Sequence, residues 1–292
     1  MILLTGAAGK TGKAILNTLL PHGVKVRALA RSTRQVEELK SIGCKDIMIG
    51  DLRDEQSLDR AMEGVEKIYY ICPNIAQDEV QIGNTLIRLA KKHSIDRFVY
   101  HSVLHPQAGA MPHHWQKMRM EEALLASGLD FTILQPCAYM QNVLAGWSSI
   151  VENGIYSVPY SVAARLSIVD LADVGAAAEV VLTQRNHSYA IYELSGPEAL
   201  SQEEVAHILS EELGKPVVAT SVDRGEWAEN SRRSGLDEYS IMTLLKMFEY
   251  YESHGLIGNA NVLNYLLKRP ATRFVEFVHK TIDAEQRRRS AG

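Results

Sequence analysis

The sequence predicts an α/β fold: a doubly wound parallel sheet with a smaller C-terminal α/β domain. Three observations lead there. Short apolar runs rich in branched and aromatic residues recur through the first 136 positions. Turn residues bound those runs. The stretches between them place apolar residues at helical spacing. Strands that alternate with helices build βαβ units, and these leave a parallel sheet with helices on both faces.

The runs expected as strands are residues 2–4, 24–29, 46–49, 67–71, 97–101 and 131–134. A helix over 10–20 carries Ile15, Leu16, Leu19 and Leu20 on one face and is ended by Pro21 and Gly23. A second over 80–93 repeats Ile82, Leu86, Leu89 and Ala90, and a third over 115–127 stops at Gly128. After Pro136 the alternation weakens. Residues 155–158, 166–169 and 189–194 read as isolated strands, and 170–182, 202–213 and 237–253 as helices. A last helix is expected over 271–284, with Pro270 near its first turn. Arg287, Arg288 and Arg289 read as a frayed, solvated tail. The expected division is 1–136 and 137–292, with later segments able to return to the main sheet.

Composition narrows the classes of function. The chain has 292 residues, 46% hydrophobic and 23% charged, enough for one large domain or two moderate ones. A net charge of -4 supplies no basic field for nucleic acid or an anionic membrane. Cys44, Cys72 and Cys137 are odd in number and far apart, which fits a reducing compartment. No apolar run is long enough to span a bilayer. Met1 to Leu4 lacks the basic flank of a signal sequence and reads as a buried strand. The expectation is a cytoplasmic protein, monomer or homodimer, with a small-molecule substrate and neither nucleic acid nor membrane as partner.

The strongest motif is Thr5-Gly6-Ala7-Ala8-Gly9-Lys10-Thr11-Gly12, set between the first strand and the first helix. That context makes a triple glycine informative. Gly6 permits a tight turn, Gly9 lets backbone approach a diphosphate, and Gly12 lets the helix pack near the strand. The helix start offers open N–H groups and partial positive charge. The loop therefore reads as a Rossmann-type dinucleotide site. A site for NAD usually places an acid at the end of the second strand, to hold the ribose 2′-hydroxyl. Here Arg31 stands there with Arg34 three residues on, and guanidinium suits a 2′-phosphate. Lys10 adds charge. NADP(H) is the expected cofactor and NAD(H) the less favoured one. The competing reading makes both arginines plain solvated residues at a helix start.

Three further segments accompany the glycine loop. These are Gly50-Asp51-Leu52-Arg53-Asp54, the run from Ser127 to Pro136 followed by Tyr139 and Asn142, and the closing Lys268 to Phe277. Together they resemble the NmrA-like family of atypical short-chain dehydrogenase/reductases, over nearly the whole chain. That family includes quinone and triphenylmethane-dye reductases and non-catalytic redox sensors. The resemblance implies that Asp51 and Leu52 border the adenine and that Cys72, Pro73 and Asn74 pass near the nicotinamide half. It implies that Ser102 and Lys117 reach the ring and its ribose. Residues 134–138, Pro136 among them, would floor the substrate pocket. Tyr139, which would also touch the cofactor, and Asn142 would line it, with His114 nearby.

Typical members of the wider group use Ser with Tyr-x-x-x-Lys. The lysine holds the ribose, and the tyrosine protonates the oxygen that hydride transfer makes negative. This chain offers Ser102 and Lys117, but His113 stands four residues before the lysine. That departure counts against alcohol–ketone chemistry and against sugar epimerisation. A quinone or cationic dye is already electrophilic and needs no strong protein acid. His113 or His114 can replace the acid, since histidine titrates near neutrality; the plainer alternative is a polar loop before a helix. His101, His105, His113 and His114 lack zinc-binding spacing, so no metal is expected. Cys72 reads as a redox thiol or as packing. Trp115, Tyr139, Met140 and Trp147 read as an aromatic platform for a planar substrate or as core. Two functions stay open: a reductase, or a sensor that binds NADP(H) without turnover.

Overall fold

The computed structural model describes every residue except Asn74 and Gly292. In chain order its elements begin β1 (Ile2–Leu4), α1 (Lys10–Leu19), β2 (Val26–Ala30), α2 (Thr33–Ser41), β3 (Asp46–Ile49) and α3 (Glu55–Ala61). They continue with β4 (Lys67–Tyr70), α4 (Glu79–Lys92), β5 (Arg97–His101), α5 (Pro112–Leu125) and β6 (Phe131–Pro136). Next come β7 (Ala138–Tyr139), a 3-10 turn (Met140–Gly146), α6 (Trp147–Asn153), β8 (Ile155–Val158), β9 (Leu166–Val169), α7 (Leu171–Thr183) and β10 (Ala190–Leu194). The chain closes with β11 (Ala199–Leu200), α8 (Gln202–Leu213), β12 (Val218–Ser221), α9 (Arg224–Arg233), α10 (Glu238–His254), α11 (Asn261–Leu267) and α12 (Phe274–Ala291).

Contacts divide the chain into two units, the first being Met1–Gly109, His113–Pro136 and Leu171–Leu194. It holds a seven-stranded sheet in the order β10-β6-β5-β4-β1-β2-β3, and every pairing in it is parallel. This is the expected fold class. The strand order reverses between β1 and β4, where ligands of such sheets bind beyond the carboxyl ends. One face buries Tyr70, Phe98, Tyr100 and Ile133 against Ile82 and Leu86 of α4 and Leu124 of α5. Against α1 lies α7, close enough that a Cβ on Gly175 would stand 2.6 Å from Thr18 Oγ1 and 3.0 Å from the Ala14 carbonyl.

Several expectations need correction. Residues 189–194 are not isolated: β10 pairs with β6, from Ala190 beside Thr132 to Leu194 beside Pro136. Periodicity reports which face is buried but not which distant strand lies alongside. Helices α2 and α3 escaped notice because both are mostly polar; α2 buries only Leu39. Their caps do mark them, since Ser32 accepts the Gln35 N–H and Asp54 the Gln56 N–H. Helix α5 begins at Pro112, so His113 and His114 lie on its first turn and not in a loop.

The second unit comprises Ala110–Pro112, Cys137–Asp170 and Ser195–Gly292. Strands β11, β9 and β7 form one small sheet, and β12 and β8 another. Its core packs Met140, Trp147 and Ile150 against Leu209 of α8 and Phe274 and Phe277 of α12. Helix α8 opens with a capping box between Ser201 and Glu204. Helix α12 starts at Phe274, where Glu198 accepts the backbone N–H. Pro270 therefore lies outside it, and the arginines expected as a frayed tail fall within its span. Among the described residues no helix is long and apolar enough to cross a membrane.

Candidate active site

The glycine loop follows directly from β1. Gly6 has φ +60°, a left-handed conformation that favours glycine, and a Cβ there would lie 2.9 Å from Ile71 Cβ. A Cβ on Gly12 would sit 2.4 Å from the Gly6 carbonyl and 2.6 Å from Ala7 Cα. Gly9 is the N-cap of α1 and supplies no side chain to its open N–H groups. Thr5 Oγ1 donates to the Ile71 carbonyl at 2.9 Å and accepts the Ile71 N–H at 2.8 Å, tying the ends of β1 and β4 together. Gly6, Gly9 and Lys10 are exposed, Ala8 is half-buried and Thr11 is buried. The cradle fits a diphosphate: backbone donors, a helix N-terminus and space that only hydrogen leaves open.

Arg31 stands exposed at the end of β2, its backbone N–H donating to Gln35 Oε1 at 2.7 Å. Arg34 is also exposed, and its Nε donates to Glu38 Oε1 at 3.1 Å. The other oxygen of Glu38 receives Lys13 Nζ at 2.9 Å. Sequence reading missed Lys13 and Glu38, which looked like ordinary helix-surface charges. After β3, the Asp51 carboxylate accepts the Arg53 N–H at 2.8 Å, and Leu52 is buried.

Lys117 Nζ lies 2.8 Å from Glu79 Oε1, and Glu79 is only 2% exposed. The same oxygen accepts the Tyr100 hydroxyl at 2.6 Å, and the ammonium sits 5.6 Å from the Tyr100 ring centre. Beside this cluster Cys72 is buried, and desolvation first, then the Glu79 charge, push its thiol up to about 12. A thiolate there is scarce at neutral pH, so Cys72 is packing rather than a redox nucleophile. Pro73 is half-buried, and Asn74 lies outside the described residues.

At the carboxyl end of β5, the Ser102 hydroxyl donates to Glu121 Oε1. Gln135 of β6 donates to both oxygens of Glu121, at 2.9 and 3.0 Å. All three residues are buried. Desolvation raises the Glu121 carboxyl above its usual range, opposed by the bonds from Ser102 and Gln135. Neither acid was foreseen. Glu79 opens a helix, where an acid ordinarily complements the dipole. Glu121 follows Lys117 by four residues, the spacing of a surface ion pair.

His113 and His114 meet edge to face with ring centres 4.5 Å apart. His114 Nδ1 donates to the His105 carbonyl at 3.1 Å. Desolvation lowers His113 to about 3 and His114 to about 4. His101, hydrogen-bonded to Tyr69 at 2.9 Å, falls to about 3 for the same reason. At neutral pH all three are uncharged, which weighs against His113 as a protonated acid.

An acid-stability prediction follows from these three rings. Below the usual value of 6.5 the unfolded chain takes up protons that the folded chain refuses. Their contribution is fully present above 6.5 and is lost as pH falls toward 3 to 4. Urea midpoints measured across that window should decline steadily, and His114→Gln should make the decline shallower. A flat curve would contradict the buried, neutral state.

Tyr139 and Asn142 belong to the second unit, where Tyr139 is half-buried and precedes the 3-10 turn, and Asn142 is exposed. Met140 and Trp147 are core residues there, 1% and 8% exposed, so packing accounts for both. Trp115, in the first unit, is 48% exposed. Pro136 closes β6, and its carbonyl accepts the Leu104 N–H at 2.8 Å.

A parallel sheet with its strand order reversed beside a Gly-x-x-Gly-x-x-Gly turn defines a Rossmann-type dinucleotide-binding protein. More particularly, the chain belongs to the NmrA-like family, which matches residues 1–286. The NAD(P)H azoreductase of Xenophilus azovorans is 28% identical over 279 residues, covering 95% of this chain and 96% of that protein. The Escherichia coli NADPH-dependent quinone oxidoreductase, solved complexed with NADPH, superposes with a TM-score of 0.83 at 25% identity. The match covers 97% of this chain and 100% of that one. NmrA, a negative transcriptional regulator solved with NAD, gives 0.80 at 18% identity over 99% and 97% of the two chains, a likeness of fold.

Proposed function

We propose that the protein is an NADPH-dependent reductase that delivers hydride to a quinone-like or conjugated electrophile. The observation that carries this is the Lys117 ammonium fixed on buried Glu79, at the carboxyl side of the sheet, with Ser102 just past the end of β5 held by Glu121. The azoreductase and quinone oxidoreductase relatives, matched over nearly their whole length, support the same class of reaction.

Bound NADPH would supply the hydride. The α1 N-terminus and the Gly6–Gly12 loop would hold the diphosphate, and Arg31, Arg34 and Lys13 would supply positive charge for the adenosine ribose phosphate. Lys117 orients the nicotinamide ribose. That task needs no tyrosine, and His113 in place of one is no obstacle when the acceptor is already electrophilic. Ser102 would present its hydroxyl oxygen beside the ring, since its one proton is held by Glu121, which Gln135 fixes in turn. Hydrogen-bond partners that lock a hydroxyl in place are what a preorganised site requires.

The test is loss of NADPH absorbance with 1,4-naphthoquinone, an azo dye and a triphenylmethane dye as acceptors. Steady consumption with at least one of them is expected. His113 where a tyrosine is usual also supports a second reading, a non-catalytic NADP(H) sensor. Saturable NADPH binding without oxidation by any acceptor would favour the sensor.

A further inference from the structure

We propose that Glu38 sets how strongly the protein prefers a 2′-phosphorylated nucleotide, by competing with that phosphate for Lys13 and Arg34. The inference concerns the nucleotide site alone and does not depend on the hydride acceptor. Lys13 lies on the first turns of α1, one residue beyond the last loop glycine, and Arg34 on the first turn of α2. These two helix starts flank the end of β2, where the ribose 2′ position of a bound dinucleotide lies. Glu38 sits one turn after Arg34, and its two oxygens take one cation each, Arg34 at 3.1 Å and Lys13 at 2.9 Å.

The carboxylate therefore occupies the donors that a 2′-phosphate would seek. A phosphate dianion and a carboxylate ask for the same charge-assisted bonds, so the donors held by Glu38 must turn from it to serve a phosphate, and its own negative charge opposes one set beside them. The exchange is an easy one, because these side chains are a third or more exposed and pairs in water are weak. The cations also hold the Glu38 carboxyl below its usual range, Lys13 first and Arg34 second, so it stays ionised and competitive. NADH has no 2′-phosphate and leaves the triad undisturbed. Glu38 thus narrows the gap between the two nucleotides without touching the diphosphate cradle.

The test compares NADPH and NADH dissociation constants, by nucleotide fluorescence, for the wild type and Glu38→Gln. NADPH should tighten by about two- to tenfold while NADH changes little. The gain should shrink at high salt, since all three groups are solvated. In a Lys13→Met/Arg34→Met background, Glu38→Gln should no longer move the NADPH-to-NADH ratio. Equal tightening of both nucleotides would reduce the effect to general charge and overturn the proposal, as would unchanged or weaker NADPH binding. A gain that persists without the two cations would overturn it as well. A wild-type chain that takes up neither nucleotide would overturn the cofactor site itself, and the role of Glu38 with it.

Discussion

Lys117→Met is expected to slow hydride transfer from NADPH by about a hundredfold or more and to cost the fold about 3–5 kcal/mol. Both effects arise from one arrangement. The ammonium is the ionic partner of Glu79, which is 2% exposed and also accepts the Tyr100 hydroxyl. Methionine keeps the length of the side chain but strands a carboxylate in the interior. A stranded charge is far more costly than the lost pair alone. Adding Glu79→Gln should return much of the stability, because neither charge is then left behind. It should not return the rate, because the group that holds the ribose is still missing. Single-turnover NADPH consumption and urea unfolding on the same samples separate the two losses. Full activity in Lys117→Met would remove this lysine from the mechanism.

Gly12→Ala is expected to weaken NADPH binding at least about tenfold and to destabilise the chain by about 1–3 kcal/mol. The new methyl would have to enter space held by the Gly6 carbonyl at 2.4 Å and by Ala7 Cα at 2.6 Å. Backbone on both sides of the contact leaves no flexible side chain to yield, so the start of α1 must shift away from the β1 turn. That shift moves the N–H groups that meet the diphosphate. Gly23→Ala is the useful contrast. Its φ is +73° but nothing lies within 4 Å of a Cβ there, so it should cost about 1 kcal/mol and leave nucleotide affinity unchanged. Nucleotide titration and thermal unfolding of both variants make the comparison. Equal NADPH affinity in Gly12→Ala and the wild type would refute the close-packing argument.

The parallel sheet was readable because β1, β4, β5 and β6 are compact apolar runs, and their period shows in the primary structure. The glycine loop was readable because its constraint is local: a sharp turn, a close approach and a helix start within a few residues. Glu79, Glu121 and Glu38 were not readable. Each becomes informative through a partner elsewhere in the fold, Lys117 on α5, Ser102 just after β5 and Lys13 on α1. Position on a helix alone made them look like routine solvated acids. The histidines show the same limit. Pro112 is a fair helix-start signal, but nothing in Met111-Pro112-His113-His114 announces that α5 turns His114 into the interior.

The late return of β10 to the edge of β6 bears on how the polypeptide is made. A nascent chain that has emerged only as far as Pro136 presents β6 with one row of backbone donors and acceptors unmatched, and it lacks α7 against α1. An unfinished strand edge of this kind invites pairing with other chains. The pairing of β6 comes only when Leu194 has left the ribosome and β10 takes over as the edge strand, so the nucleotide half waits on residues encoded well beyond it. Long-range closure of that sort slows folding.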